Sequence, residues 1–575
     1  MSNPDLLKRN FLTPNPKRLT EARSLGYGFV NLPSGESHIM GYSDLHDHLK
    51  KLEASGYLRR IQRVINKDTE LHPLVRWQYR GGIPAEDRKA WLFENVTDAR
   101  GRRYKFPVVV GALAGNPAIY FLGMGCKTVE EMDEKWKNAL SQPVPPVFVT
   151  DAPCQEEVHL GEEVRREGLG LEEFPVPIST PGFDNGPYTT CSHWITKDPE
   201  TGIQNIGNYR GQIKARTRIG VFPSALGQDI YIHWKKAQAK GQPLPAALVV
   251  GAPPVVSYVS VQKVAYGVDE IAIAGGLAGE PIRVVKCKTV DLFVPAEEEI
   301  VIEGFLNTEW IEPEGPFGES HGYMHPRQFN PFMEVSAITH RKDAIYVSWL
   351  SQLTPSESSV IRKIGYDRLM LVHLRDECRI QSVLRVEMHE PLTNTYKLVI
   401  VQMRRPSEAE VWRALHAACS FHPGVGKIVV AVDEDIDPSN EAAVFWAMCY
   451  RMKPHLDVHI VPGMEKGHAP PFYYKDELHG TDVVSYHLPA NESAMLCNAI
   501  QKEPFPPISL PKREYMERAR AIWEELGLPK LKPEMPWYGY SLGQWDEELD
   551  EEARLAVQGR HYEVGEKLAS RRIKA

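Results

Sequence analysis

From Thr189 to Gly304 the chain is cut into short β-rich runs, each closed within a few residues by Gly, Pro or Asp. "NIGNYRGQIKA", "ALVVGAPPVVSYVSV", "TVDLFVP" and "EEIVIEG" are the clearest of them. Short strands punctuated in this way suggest a small barrel or sandwich. One helical segment, around "GQDIYIHWKKAQAKG", interrupts the series. At 575 residues the chain is too long for a single core, so this β-rich unit must have neighbours.

The flanks read differently. In "YSDLHDHLKKLEASGYL", Leu45, Leu49 and Leu52 share one helical face, Ser43 or Asp44 can cap the start, and Gly56 stands where the helix should stop. "YKFPVVVGALAG" reads as a buried strand ending in a turn. Residues 141–188 shift toward Pro and Gly, which predicts a stretch that wraps a neighbouring unit rather than forming a core. After Pro331 the pattern becomes α/β: "GKIVVAVDEDIDPSNEAAVFWAMCYRM" is a strand, a turn and a helix. The tail after Pro533 turns from acidic to basic, as a terminal helix suits its dipole. These changes divide the chain into 1–130 (α/β), 131–330 (β-rich), 331–485 (α/β) and 486–575 (an extension with a terminal helix), an α/β (α+β) architecture overall.

Composition narrows the function. A net charge of -8 with no basic stripe argues against nucleic acid as a partner. "MSNPDLLKRNFL" lacks the apolar run of a signal peptide. "PAALVVGAPPVV" is interrupted by Pro253 and Pro254 and is too short to span a bilayer, so no membrane role is expected. The 8 cysteines are scattered with no C-x-x-C pair, which fits reduced thiols in a cytoplasm. Phosphate-loop, H-E-x-x-H and G-x-S-x-G signatures are absent. "GGLAG" at 275–279 is only a loose glycine cluster, and the aromatic run "PWYGYSLGQW" near the tail reads as packing.

Polar groups inside the β-rich region are the remaining candidates. "PEGPFGESHGY" sets Glu314 and Glu319 on either side of Gly-Pro-Phe-Gly, a spacer suited to neither helix nor central strand. It is either a solvated loop or a pair of acids held over a reacting centre. Arg210 lies between Gly207 and Gly211, and a surface arginine is the plain alternative. Asn205 is five residues before it. On a straight strand the two face opposite sides, so a shared site requires Asn205 to precede the strand or a bulge to intervene. Glu270, in "YGVDEIAIAGG", stands where a helix cap is expected. "DEDID" at 433–437 reads as a turn and helix cap with solvated charge.

Taken together, "NIGNYR", "PPVVSYVS", "GVDEIAIAGGLAGEPIRVVKCKTVDLFVPAEEEIVIEGFL" and "PEGPFGESHGY" resemble the UbiD family of decarboxylases. "FPVPISTPGFDNGPY" upstream, and "ITHRKDAIY" and "DEDIDPSN" downstream, extend the resemblance over roughly residues 40–480. It implies a UbiD-like fold, with a split β-barrel flavin-binding domain between an N-terminal α/β segment and a C-terminal α/β oligomerisation domain. It also implies prenylated FMN as cofactor, supplied by a flavin prenyltransferase, and a homo-oligomer joined through a last helix. On the same basis Arg210 pairs with the substrate carboxylate, Glu319 donates the proton that replaces carbon dioxide, and Glu314 orients Arg210.

The resemblance further implies a divalent cation, commonly manganese, with potassium nearby, at the flavin phosphate. Asn205 and Glu270 match two metal ligands. Where the family has a His, this chain has Gln228, a weaker and harder ligand than imidazole. His233, one helical turn further on, is an alternative third ligand, and Lys427 matches a position that contacts the phosphate.

The implied activity is decarboxylation, or the reverse carboxylation, of an aromatic or α,β-unsaturated acid, with a free acid and a coenzyme A thioester both open. A flavin-binding oxidoreductase, or a non-catalytic subunit of a carboxylase complex on the same fold, are the alternatives.

Overall fold

Only Tyr209 and Arg210 separate the strand Gln204–Asn208 from the strand Gly211–Ala215, yet the two stand at nearly opposite ends of one sheet. That sheet contains, in chain order, β1 (Glu157–Leu160), β2 (Tyr188–Thr189), β3 (His193–Lys197), β4 (Gln204–Asn208), β5 (Gly211–Ala215), β6 (Arg218–Val221), β7 (Leu244–Val250), β8 (Ile300–Leu306) and β9 (Phe332–His340). Its spatial order is β4-β3-β7-β8-β9-β6-β5-β2, with β1 also paired to β9. Laid flat at about 4.8 Å per strand, β4 and β5 would lie roughly 29 Å apart. Three residue steps reach at most about 11 Å. The sheet must therefore curl until its ends approach, as a split barrel does. Ser192 clasps the seam: its hydroxyl donates to the Tyr209 carbonyl at 2.8 Å, and its N–H donates to Asn208 Oδ1 at 2.9 Å.

This computed structural model describes residues 42–574 other than 224–227, 263, 265, 326, 423, 465–491 and 534–541. The run "MSNPDLLKRNFL" and most of "PWYGYSLGQW" lie outside them.

The helix Leu45–Ala54 forms as expected, with Asp44 rather than Ser43 as its cap, accepting from the Asp47 N–H at 2.8 Å. It packs beside a four-stranded sheet built from Leu58–Ile61, Ala90–Phe93, Val108–Val110 and Tyr346–Val347. The last of these strands arrives from beyond the barrel. A second α/β layer follows, with a five-stranded sheet ordered Val383–Met388, Leu398–Met403, Ile428–Asp433, Ser493–Ala499, Val458–Pro462. Its Ser493–Ala499 strand comes from beyond residue 485. Among the described residues, no helix is long and apolar enough to cross a membrane.

Three sequence expectations need correction. "PPVVSYVSV", counted among the β-rich runs, contains the helix Pro254–Ser260, all seven residues of which are buried. Proline at the first helical position needs no N–H partner there, and burial on all sides overrides the β preference of its valines. Residues 141–188 do more than wrap a neighbour. They supply β1, and Val164, Leu171, Phe174 and Val176 join the main core. Two of the "DEDID" charges are not solvated, because buried Arg451 grips Asp433 at 2.7 Å and Asp435 at 2.6 Å. The helix that follows is capped by Asn440.

The seam leaves no room at Gly211. A Cβ there would lie 2.6 Å from Thr189 Oγ1 and 2.7 Å from Ile219 Cδ1. Gly211→Ala should therefore cost about 1–3 kcal/mol of stability, read as a lower urea midpoint.

Candidate active site

Arg210 occupies the barrel seam because the two-residue link between β4 and β5 has nowhere else to put it. Its guanidinium is buried, and its Nε and Nη2 both donate to the Glu314 carboxylate at 2.9 Å. The remaining Nη1 donates to Glu319 Oε1. Phe222 lies over the guanidinium at 4.0 Å and Phe317 at 5.0 Å. Burial pulls the Arg210 pKa down, but Glu314 and Glu319 outweigh it and hold the value above the ordinary range.

The stretch "PEGPFGESHGY" is more regular than its composition predicts. Glu312–Glu314 pairs with Gln328–Asn330, and Phe317–Gly318 pairs with Met324–His325, forming two short antiparallel ladders of one excursion. Gly315, at φ +102°, takes the positive φ that glycine tolerates between them. Glu314 faces Gln328, so Asn330 is its diagonal neighbour on the same face. Asn330 Nδ2 donates to Glu314 Oε2 at 3.1 Å. Glu314 is 0% exposed, and its carboxylate is satisfied by three donors.

Glu319 is held less tightly. Burial raises its pKa, Arg210 opposes that, and the charge of Glu314 reinforces it; the net direction is upward. The two acids thus differ in role: one is a fully paired anchor, the other a group biased toward keeping its proton. Arg362, on the helix Glu357–Val372, adds a second positive charge near Glu319, and its own Nε and Nη2 are buried without a hydrogen-bond partner among the described residues.

A second cluster stands on the other side of the same link. Asn205 lies within β4, not before it, and Arg210 lies in the link rather than on the strand. Their opposition along a straight strand therefore does not arise, and no bulge is needed. Asn205 Nδ2 donates to Glu270 Oε1 at 2.6 Å and to Asp229 Oδ2 at 3.1 Å. Its Oδ1 is buried without a partner among the described residues.

Asp269, not Glu270, caps the helix Glu270–Ala278, which frees Glu270 to face Asn205. Burial, reinforced by Asp229 and Asp269, pushes the Glu270 pKa up to about 8. Gln228 caps the helix Asp229–Ala239 without a side-chain bond to it, and its Oε1 accepts from the Tyr209 hydroxyl at 3.3 Å. An orphaned amide oxygen beside two carboxylates is an all-oxygen set that suits a hard divalent cation.

His233 and Lys427 stand apart from this set. His233 is buried, with Nδ1 bonded to Thr196 Oγ1 at 2.9 Å, and burial lowers its pKa to about 4. Among the described residues it does not join Glu270 and Asp229 in a three-ligand cluster. Lys427 precedes the strand Ile428–Asp433 and pairs with Glu492 at 2.9 Å. A cavity of about 500 Å³, lined in part by His46, Arg60, Phe106 and Lys342, shares no residue with either cluster.

Sequence reasoning missed Asp229, Asn330, Arg362 and the aromatic walls. Asp229 had a signal, since it directly follows Gln228. Asn330 had none, because only the pairing of its strand brings it to Glu314.

Comparison with known proteins agrees with this architecture. The 3-octaprenyl-4-hydroxybenzoate carboxy-lyase Rift-related domain (UbiD) matches residues 147–352, and the C-terminal domain of that carboxy-lyase matches residues 366–485. An uncharacterized protein of Synechocystis is 30% identical over 444 residues, covering 73% of this chain and 84% of the relative. The UbiD-class enzyme HmfF from Pelotomaculum thermopropionicum, solved in complex with FMN, superposes with a TM-score of 0.69 at 30% identity, covering 83% of this chain and 100% of that one. A dimeric evolved form of HmfF, solved with prFMN, gives 0.68 at 30% identity, over 81% and 97% of the two chains. The closed form of vanillic acid decarboxylase from Sedimentibacter hydroxybenzoicus gives 0.68 at 26% identity, over 84% and 99%.

The Glu270 geometry generates a pH prediction. In the absence of a cation, folded Glu270 keeps its proton up to about pH 8, whereas an ordinary glutamate releases it near 4.5. The stability it contributes is fully present below the lower value and is lost as pH rises through the upper one. Chelator-treated protein should therefore lose stability across that window, by up to about 1.4 kcal/mol per pH unit from this group. Glu270→Gln should flatten that slope in thermal unfolding, and equal slopes would contradict the assignment.

Proposed function

The chain belongs to the UbiD family of carboxy-lyases, and from that premise we propose that it catalyses prenylated-FMN-dependent, reversible decarboxylation of an aromatic or α,β-unsaturated carboxylic acid. The observation that carries this reading is the buried Glu314–Arg210–Glu319 array, in which one acid is committed to the arginine and the other is biased toward its protonated form. A simple flavin-binding surface needs no such division of labour.

Losing carbon dioxide from an aryl or vinyl carbon leaves an electron pair with no adjacent sink, and the prenylated flavin, when bound, supplies one. The protein contributes placement and charge. Asn205, Glu270 and Asp229, with Gln228 beside them, would hold a hard divalent cation for the flavin phosphate, manganese on the family resemblance, with potassium close by. Lys427 would reach the phosphate only by leaving Glu492. Arg210 draws the substrate carboxylate to the seam, and the unpartnered edge of Arg362 reinforces that attraction. Phe222 and Phe317 fix the guanidinium plane and offer an apolar wall to an unsaturated or aryl group.

As the carbon–carboxyl bond breaks and carbon dioxide leaves, the Glu319 carboxyl proton passes to the carbon and closes the new C–H bond. Solvent then returns a proton to Glu319. In the reverse direction Glu319 accepts the proton. A free acid and a coenzyme A thioester both stay open within this reading. Assembly into a homo-oligomer, and a flavin prenyltransferase as cofactor source, belong to the same reading.

The test is a screen of aryl and α,β-unsaturated acids and their thioesters with holoenzyme made alongside a flavin prenyltransferase, following carbon dioxide release. Glu319→Gln should lower turnover by about 10²–10⁴-fold and suppress solvent-deuterium incorporation into product. Arg210→Lys, which forfeits the two-pronged grip on Glu314, should cost roughly 10–100-fold in kcat/KM. Full activity with unmodified FMN, or unchanged turnover in Glu319→Gln, would overturn the proposal.

A further inference from the structure

Among the described residues, the one group of three or more His, Cys, Asp or Glu side chains arranged to hold a metal ion is neither of the clusters above. It is His159, Glu173 and His340, whose donor atoms all lie within 4.8 Å of one another. The fold explains the convergence. β1 and β9 run antiparallel with His159 opposite Ile338. His340, two residues further along β9, is therefore a diagonal neighbour of His159 on the same face. Glu173 ends the short turn of helix Gly170–Glu173 and brings its carboxylate to both rings. His159 Nε2 is 3.7 Å from Glu173 Oε2, and His340 Nε2 is 3.7 Å from Glu173 Oε1.

Those separations are too long for hydrogen bonds, and the atoms are left in need. His340 is 1% exposed, and its Nε2 and the Glu173 Oε2 are buried without a partner among the described residues. The tautomer is settled by the other ring nitrogen. His340 Nδ1 lies 2.7 Å from the Arg341 carbonyl, which can only accept, so Nδ1 carries the hydrogen and Nε2 presents a lone pair. That outer bond is the arrangement by which proteins orient a metal-ligating imidazole. Burial also holds the His340 pKa below its ordinary value, favouring the neutral ring that ligation requires. Phe106 and Phe174 pack against the His340 ring at 5.3 and 5.6 Å and close one side with apolar surface. A buried lone pair and a buried carboxylate oxygen, each unpartnered, carry a desolvation cost that a cation removes.

We propose that His159 Nε2, His340 Nε2 and the Glu173 carboxylate form a binding site for a divalent transition metal, zinc by its donor set, distinct from the cation site at Asn205 and Glu270. Ligands about 2.0–2.1 Å from a tetrahedral zinc lie roughly 3.4 Å from one another. The 3.7 Å contacts reach different oxygens of Glu173, and the three donor atoms lie within 4.8 Å of one another, so side-chain shifts of about an ångström or less would close the set. Three protein ligands leave a fourth position for water. The ion would tie the edge strand β1 and the 170–173 turn to the end of β9, giving the Pro- and Gly-rich stretch before β2 a fixed anchor on the barrel.

Cobalt distinguishes the two sites, because imidazole-ligated, low-coordinate Co²⁺ absorbs strongly in the visible while an all-oxygen site absorbs weakly. Tag-free, full-length protein, stripped with chelator and titrated with Co²⁺, should develop an intense visible band that saturates at one equivalent and is bleached by Zn²⁺. His159→Gln and Glu173→Gln change partly exposed side chains. Each should weaken that binding by more than the roughly 10–100-fold that loss of an outer partner costs, and Glu270→Gln should retain the band. No intense band in the wild type, a result independent of how any variant folds, would overturn the proposal. So would a band that survives in folded His159→Gln and Glu173→Gln, or one that disappears only in Glu270→Gln.

Discussion

The two-pronged bond between Arg210 and Glu314 is the interaction on which the site rests. A buried guanidinium and a buried carboxylate each lose several kcal/mol of hydration, and their attraction offsets this only with good geometry and further hydrogen bonds. Both conditions are met. The fork engages both Glu314 oxygens, Asn330 adds a third donor, and two aromatic rings flank the guanidinium. None of this is possible unless the barrel seam brings β4 and β5 within two residues of each other. The excursion 312–330 must also be laced to itself so that Glu314 and Asn330 share a face. Fold and site are therefore one construction.

The same link separates two electrostatic environments. On the Arg210 side, the guanidinium keeps Glu314 paired, while burial, against the opposing charges of Arg210 and Arg362, tilts Glu319 toward its proton. On the Asn205 side, the Glu270 and Asp229 carboxylates share one amide, each accepting from Asn205 Nδ2. The first suits proton transfer and anion binding; the second suits a metal ion. Keeping them five residues apart joins the two chemistries along a single stretch of backbone.

Much of this was legible beforehand because it is local. The helix at Leu45–Ala54, the buried strand at Val108–Val110 and the strand–turn–helix after Gly426 follow from periodicity and caps. The paired acids of "PEGPFGESHGY" stood out because Gly and Pro on both sides signal a shaped turn. What failed did so for tertiary reasons. Pro254–Ser260 has a strand's composition but is helical because its whole surface is buried. Asp433 and Asp435 look solvated until Arg451, sixteen or more residues on, reaches back to them. Asp269 and Glu270 are adjacent acids at a helix start, and only the packing of that helix against β4 decides which one caps and which one faces Asn205.

By itself, the sequence determined the residue types available for chemistry, the β-rich centre with its α/β flanks, and the family to which the motifs belong. These depend on neighbours a few residues apart and on the order of motifs. The tertiary structure alone decided the partners. Asn330 on Glu314, Asp229 on Asn205, Arg362 near Glu319 and the His159–Glu173–His340 convergence each join residues from separate elements. Sheet register and barrel curvature set such contacts, because a strand shifted by one residue turns every side chain to the opposite face. No spacing along the chain records that choice.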